Sequence, residues 1–439
     1  MFLFIPKSLL PTKNPPLFSS KSLRALVIPL IIEQFLNSLM GTADAMMVTG
    51  AGSAAISAVS LVDSINVLVV NVFSAMATGG AILSSQYLGH GLDEKARHSG
   101  SQLILCVFFL SIFGSALCIL FKKPLLSLIF GRVEKEVMDG AVVYFFITAL
   151  SFPFIALYNA AAALFRSAKN SRLPMTISMI SNILNVAGNA VLIFVFSLGV
   201  KGAALSTLIS RIFSAITLLF FLRKSTGKIR LETFFFRADF GEMAKILKVG
   251  LPTGIENGMF QFGKLAIQST VSLMGMEAIA ANAMTASLES LSCQGAQGIG
   301  IAMMTVSGQC VGAGEDYQAS QYIKRLTRWG FVALVLSSVV VSAAIFPITR
   351  ISKMSAEAAS LACFLTWIVH AVKPFVWGGS FLPAYGLRAA GDVRFSMLVS
   401  MTTMWTCRVL TVVILARGFG FGPLAVWIGM IADWTVRSI

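Results

Sequence analysis

Twelve long apolar stretches leave this chain few ways to satisfy its backbone. They cover residues 25–48, 54–88, 101–121, 141–165, 174–197, 202–222, 249–273, 278–311, 329–348, 358–387, 395–416 and 420–437. Each approaches or exceeds the ~20 residues that a helix needs to cross a bilayer, and the longest must tilt or run past it. Hydrocarbon offers no water to a bare N–H or C=O, so such segments are helices or the strands of a closed barrel. These are too long and too continuously apolar for barrel strands, and a multi-helix bundle follows. Composition agrees: 12% of the 439 residues are charged, against about 25% in a soluble domain.

The stretches fall into two sets of six that repeat one another. Pro29-Leu30-Ile31-Ile32-Glu33 returns as Pro252-Thr253-Gly254-Ile255-Glu256, 223 residues later. At the same shift Ala55-Ile56-Ser57-Ala58 faces Ala278-Ile279-Ala280-Ala281, and Gln86, Gly89, Gly91, Asp93 and Ala96 face Gln309, Gly312, Gly314, Asp316 and Ala319. Further on, 166–172 matches 388–394 at a shift of 222, and 199–202 resembles 420–423 at 221, the drift that small loop insertions produce. Six spans per half preserve direction, so the halves are parallel repeats, the usual plan of a secondary transporter. The expected fold is all-α and integral to the membrane. It has twelve transmembrane helices in two six-helix lobes, related by a pseudo-two-fold axis along the membrane normal. The expected boundaries are a flexible basic tail over 1–23, an N-terminal lobe over 24–222, a cytoplasmic linker over 223–248 and a C-terminal lobe over 249–439. Within the linker, Phe234-Phe235-Phe236-Arg237 reads either as an amphipathic element on the membrane face or as plain linker.

The net charge of +15 is topological rather than a nucleic-acid footprint. Of the 34 Lys and Arg, 22 lie in the two termini and the even-numbered loops, 8 in the odd-numbered loops and 4 within spans. Positive excess marks the cytoplasmic side, which puts both termini there, in a plasma (inner) membrane protein. The first 23 residues hold four prolines and several lysines, without the short apolar core and cleavage site of a signal peptide. Six scattered cysteines, with no paired spacing, read as small buried hydrophobes rather than metal or disulfide partners. No Walker A, HExxH or GxSxG sequence occurs, so ATP hydrolysis and hydrolase chemistry have no residues to carry them, and neither an enzyme nor a cofactor is expected.

Ionisable groups inside spans cost about 2.5–3.5 kcal/mol each and need a reason. Five acids (Glu33, Asp44, Asp63, Glu256, Glu289) stand against four bases (Arg211, Lys264, Lys373, Arg408), with His370 beside them, an interior close to balance. Asp44 is the sharpest candidate for ion or proton coupling, because it lies too deep in the first span to reach the cytoplasmic interface. A carboxylate in low dielectric takes up a proton unless a cation sits beside it, which is the physics of coupled export. Its alternative reading is a carboxylate bonded to a helix break. Asn182, Asn185 and Asn189 form a polar seam in the fifth span, Asn185 and Asn189 at i, i+4 on one face. They read either as glue between helices or as amide oxygens that join Asp44 in a proton or Na⁺ site.

Glu33 and Glu256 are repeat mates, each four residues after a proline, and fit as braces or gates for helices bent at Pro29 and Pro252. Lys264 lies too far along its helix to pair with Glu256, so its partner is expected on another helix. Asp63 and Glu289 face Ala286 and Asn66 in the repeat, which makes them specific to one half. With Gln34, Gln261, His370 and Lys373 these residues make up the expected substrate cavity or gate. The 34 Phe and 20 Met suit flat hydrophobic cations, although most of them simply face lipid or pack between helices.

At this level of detail the chain resembles the multidrug and toxic compound extrusion (MATE) transporters, over essentially all of its length after the tail. The resemblance rests on the proline-containing first helices, on Gly41-Thr42-Ala43-Asp44 with Val48-Thr49-Gly50, and on Arg388-Ala389-Ala390-Gly391-Asp392. It rests also on Gln86-Tyr87-Leu88-Gly89-His90-Gly91 and Gln309-Cys310-Val311-Gly312-Ala313-Gly314. The run from Gly250 to Lys264 looks like the prokaryotic, DinF-like side of that family. Membership implies twelve helices in two lobes and efflux of organic cations driven by H⁺ or Na⁺. Asp44 falls on the family's first-helix carboxylate and Asn185 on its fifth-helix asparagine. Two departures matter: Asn189 stands where some members carry an aspartate, and Phe260 where the NorM-like branch has a glutamate. The second weakens Na⁺ and favours H⁺. The chain also stops shortly after Asp433-Trp434, where related proteins often continue with a basic tail, which reads as a shortened end.

The expected function is thus an H⁺-coupled antiporter, with Na⁺ as the alternative ion, exporting amphipathic organic cations by alternating access. Lipids surround it, no nucleic acid is involved, and a monomer is expected. A lipid-linked precursor flippase of the same superfamily is the runner-up, although such proteins carry extra helices and a strongly basic cavity. A non-transporting scaffold has no need of buried carboxylates.

Overall fold

The computed structural model describes residues 15–50, 52–131, 134–225, 227–231 and 237–439, so the Phe234-Phe235-Phe236 element lies outside the described residues. The first half comprises α1 (Ser20–Thr49), α2 (Ser53–Gly89), α3 (Asp93–Leu120), α4 (Lys122–Phe130), α5 (Lys135–Leu150), α6 (Phe152–Ser167), α7 (Arg172–Asn189) and α8 (Gly199–Lys224). The second comprises α9 (Phe240–Val271), α10 (Met276–Gly312), α11 (Asp316–Ile351), α12 (Ala356–Ala389), α13 (Val393–Thr403), α14 (Leu410–Val413) and α15 (Leu424–Ser438). Turns of π-helix continue α7 at Ala190–Val195 and flank α14 at Met404–Val409 and Ile414–Gly418.

Every expected span coincides with helix. Among the described residues, eight helices are individually long and apolar enough to cross a membrane. The pair α5 and α6, bent by 41°, makes a ninth. The other three spans are α9 and α10, whose apolar runs are diluted by Gly, Ser and Asn, and α15, only 15 residues long. The expected single span 141–165 is therefore two helices. Pro153 sits in the first turn of α6, where its missing N–H is harmless, and Ser151 occupies the break. Helix α4 lies in the loop before it and was not legible as a span. Both α1 and α9 run unbroken through Pro29 and Pro252.

The described chain divides into two compact units: an N-unit, Leu36–Asn257, and a C-unit, residues up to Phe35 together with Gly258–Ile439. These differ from the lobes 24–222 and 249–439 read from the repeat. The first half of α1 belongs to the C-unit and the first half of α9 to the N-unit, the two changes falling within one residue of repeat-equivalent positions. Close backbone approach explains the packing. In the N-unit a Cβ on Gly79 of α2 would meet the Gly250 nitrogen of α9 at 2.7 Å. In the C-unit a Cβ on Gly298 of α10 would meet the Ile31 nitrogen of α1 at 2.8 Å. Small residues let helix backbones touch where hydrophobic sorting from lipid supplies no drive. The same logic fills the centre of the N-unit with Ala160, Ala161, Ala162 and Leu164 of α6, all fully buried.

Residues 15–23 depart from the flexible-tail expectation. Phe18 is buried, its backbone N–H donates to Tyr322 Oη at 3.0 Å, and Tyr322 Oη donates back to the Phe18 carbonyl at 2.8 Å. The linker is likewise tied down on α3. Gln102 donates to the Arg237 carbonyl at 2.9 Å and accepts from the Asp239 N–H at 3.0 Å, while His98 Nε2 meets Asp239 Oδ2 at 3.0 Å.

Candidate functional site

The second half of α1 carries Asp44 into the N-unit, and α7 presents Asn185 and Asn189 one turn apart on one face. Asn189 Nδ2 donates to Asp44 Oδ1 at 2.6 Å and to Asn185 Oδ1 at 3.4 Å. Asn185 Nδ2 in turn donates to Thr207 Oγ1 of α8 at 3.3 Å, and Ser206 Oγ to the Asn185 carbonyl at 2.7 Å. The three residues expected to couple ions do meet, although an amide nitrogen, not an amide oxygen, faces the carboxylate. Asn189 Oδ1 is buried beside it without a hydrogen-bond partner among the described residues. A π turn follows Asn189 directly, a feature that recurs at functional sites because it re-aims side chains.

Asp63 belongs to the same polar cluster of the N-unit. Its Oδ1 accepts from Asn66 Nδ2 at 3.2 Å and from Tyr144 Oη at 3.3 Å. Arg211 donates to Ser151 Oγ, at the α5–α6 break, at 2.7 Å. It lies within electrostatic reach of both Asp44 and Asp63. Two carboxylates share one guanidinium, so acids outnumber bases in the cluster. Tyr144, Thr207 and Ser151 escape a sequence search because nothing local marks a Tyr or Ser as the partner of an acid on another helix.

The C-unit holds the other half of the expected set. Lys373 Nζ, fully buried on α12, pairs with Glu289 Oε1 of α10 at 3.1 Å and donates to the Glu289 carbonyl at 2.8 Å and to Ser292 Oγ. Ser292 Oγ also meets His370 Nε2 at 3.1 Å, and Cys293 Sγ donates to Glu289 Oε1 at 3.2 Å. Among the described residues Lys264 has no carboxylate within ion-pair distance: its Nζ sits 5.6 Å from the Phe260 ring centroid of its own helix, and Glu289 of α10 acts on it from farther off. Long side chains four residues apart on a helix reach each other before they reach a neighbour. Glu33 and Glu256 are both buried, in the C-unit and N-unit respectively, and Gln34 and Gln261 are half-buried in the C-unit.

The expected balance of interior charge holds for the chain but for neither unit. Of the span charges read from the sequence, Asp44, Asp63 and Glu256 fall with Arg211 in the N-unit, and Glu33 and Glu289 with Lys264, Lys373 and Arg408 in the C-unit. A further buried pair, Asp433 and Arg437 of α15 at 3.0 Å, is neutral. Its signal was an acid and a base at i, i+4, obscured because Arg437 counts as a terminal charge.

A family model described as MatE matches residues 29–191 and 252–414, one copy in each half of the repeat. The probable multidrug resistance protein NorM of Thermotoga maritima is 27% identical over 443 residues, spanning 98% of this chain and 93% of that protein. The probable multidrug resistance protein NorM of Neisseria meningitidis serogroup A is 25% identical over 437 residues, spanning 95% and 92%. A crystal structure of MATE in complex with MaL6 superposes with a TM-score of 0.88 at 16% identity, over 95% of this chain and 93% of that one, a likeness of fold.

Proposed function

The chain belongs to the MatE family of membrane transport proteins, and on that premise we propose that it exports small amphipathic organic cations in exchange for protons, from a plasma (inner) membrane with both termini cytoplasmic. The observation that carries this reading is the Asp44–Asn189 contact of 2.6 Å, in a polar cluster whose two acids outnumber its one guanidinium. A cationic cargo replaces a proton on Asp44 because one carboxylate can neutralise either but not both. Asn189 holds the carboxylate in place, and its unpartnered Oδ1 is free to accept from a protonated Asp44 or from an amine. A sodium ion needs a shell of oxygens, whereas the partner that Asp44 has here is an N–H donor, and this supports H⁺ over Na⁺. Probable multidrug resistance is what the names of the two NorM relatives describe, and the surplus of acids around Asp44 supports a cationic cargo for this chain.

Efflux of ethidium from proteoliposomes, driven first by an imposed pH gradient and then by an imposed Na⁺ gradient, tests the proposal. The wild-type chain transports under the pH gradient alone, and Asp44→Asn abolishes transport while leaving the thermal unfolding midpoint in detergent near that of wild type. Wild-type rates in Asp44→Asn, or transport driven only by Na⁺, sink the reading.

A further inference from the structure

The C-unit gathers cations on a single aromatic ring. The Arg408 guanidinium lies 5.3 Å from the Phe260 centroid, Arg437 5.6 Å and Lys264 5.6 Å. Arg437 is neutralised by Asp433 at 3.0 Å. Among the described residues neither Lys264 nor Arg408 has a carboxylate within ion-pair distance, although Glu289 acts on both from farther off and Asp433 acts on Arg408. Arg408 is only 3% exposed. Its Nη1 touches Met404 Sδ at 3.6 Å, and its buried Nε has no hydrogen-bond partner. A ring face attracts a guanidinium, but more weakly than water does, so a buried, unpaired Arg is incomplete as it stands. Natural interiors pair such groups, and an exception points to a missing partner.

Geometry shows where that partner enters. Phe260, Gly263, Ile267 and Val271 follow helical spacing on the face of α9 that packs inward, Gly263 against Met404. Lys264 stands on that face, one turn after Phe260, and is exposed, so its ammonium is accessible. Phe381 meets Phe260 edge-on at 6.5 Å, stacks on the buried Trp377 at 4.7 Å and carries Arg437 at 4.7 Å, an aromatic shelf beside the two charges. A π turn over Met404–Val409 turns Arg408 toward the ring.

We propose that Lys264 and Arg408, beside the Phe260–Phe381–Trp377 shelf, form a binding subsite for an anionic group, a carboxylate or phosphate carried on an aromatic or apolar body. Two cations without a direct ion pair suit a phosphate, and the planar guanidinium fork suits either oxyanion. The cargo then includes amphoteric or anionic amphiphiles rather than plain cations alone. This rests on the transporter reading for its purpose, while binding itself is independent of Asp44.

The full chain in detergent is titrated calorimetrically with 2-naphthoate, with naphthyl phosphate and with the uncharged 2-naphthylmethanol. Both anions bind at least about tenfold more tightly than the alcohol, a difference of ~1.4 kcal/mol. Lys264→Gln and Arg408→Gln each remove about that factor, and Asp44→Asn leaves anion affinity unchanged while abolishing proton-driven efflux. Competition separates the sources of phosphate. Displacement of naphthyl phosphate in nanodiscs containing phosphatidylglycerol assigns a lipid headgroup, and displacement by inorganic phosphate assigns a free ion. Equal binding of the alcohol and the anions, or wild-type anion affinity in Lys264→Gln, overturns the subsite. Should Arg408→Gln fail to fold, the exposed Lys264 carries the test. Absence of proton-driven efflux in the wild-type chain, with anion binding retained, would count against the transport reading only.

Discussion

Lys373 shows how a charge survives where water is absent. Its ammonium is completed by one carboxylate, one carbonyl and one hydroxyl, so every donor is spent and no charge is left over. Removing one partner leaves the other charged and stranded, which costs about 3–5 kcal/mol, whereas replacing both by apolar groups of like volume is close to neutral. Glu289→Gln should therefore lower the unfolding temperature in detergent sharply. The double change Glu289→Leu with Lys373→Met should recover most of that loss, and an equal or larger loss in the double variant would refute the account. The residues of this pair were readable as interior charges, but not as partners, since helix spacing says nothing of distances between helices. Asp44 and Asn189 were more legible, because a lone acid deep in the first span and an amide seam in the fifth have few other uses.

At the scale of elements, turns carry the repeat as visibly as spans do. The turn after α2 uses Gly91 at φ 75° and its mate after α10 uses Gly314 at φ 72°. After α12 the chain turns at Gly391, φ 99°, but at the matching position after α6 it uses Lys169 at φ 65°. A left-handed conformation costs a residue with a Cβ about 1 kcal/mol or more, so Lys169→Gly should raise the unfolding temperature by an equivalent amount. An unchanged or lower value would show that contacts of the lysine side chain outweigh its backbone strain.

The contact between α3 and the linker gives a pH dependence. The hydrogen bond from His98, aided by the Glu242 N–H, holds the Asp239 carboxyl below its usual value of 3.8. A lowered folded-state value adds stability above the ordinary carboxylate range and loses it as pH falls through the lowered value. Hydrogen exchange across 237–242, corrected for intrinsic rates, should accelerate between pH 5 and pH 3, to a smaller extent in His98→Ala. An identical response in the variant would exclude the link. The bend between α5 and α6 was not legible, because Phe152-Pro153 reads equally well as the inside of one apolar run.

Over the whole molecule the fold was legible almost completely, since twelve apolar runs in a lipid solvent have one backbone solution and a repeat orders them. The division into units was not. It depends on Gly79, Gly250 and Gly298 permitting close approach between helices of opposite halves, and a glycine in an apolar run carries no label for its neighbour. The halves also diverged in sign. At the repeat position of Asp44 stands Ile267, within a unit whose interior is cationic, so a symmetric scaffold came to hold asymmetric chemistry.

Exchanging half-helices at equivalent points makes each half of the gene dependent on the other. A polypeptide ending within the linker supplies a complete α1 but lacks the first half of α9, so its N-unit keeps an uncovered glycine groove along α2. Fragments 1–231 and 237–439 expressed singly should be degraded, whereas co-expression should yield a complex that copurifies and transports. A stable, monodisperse single fragment would contradict this. Before duplication, an ancestral half-length protein could close the same grooves only as a dimer whose subunits traded that arm, and fusion made the trade permanent within one chain.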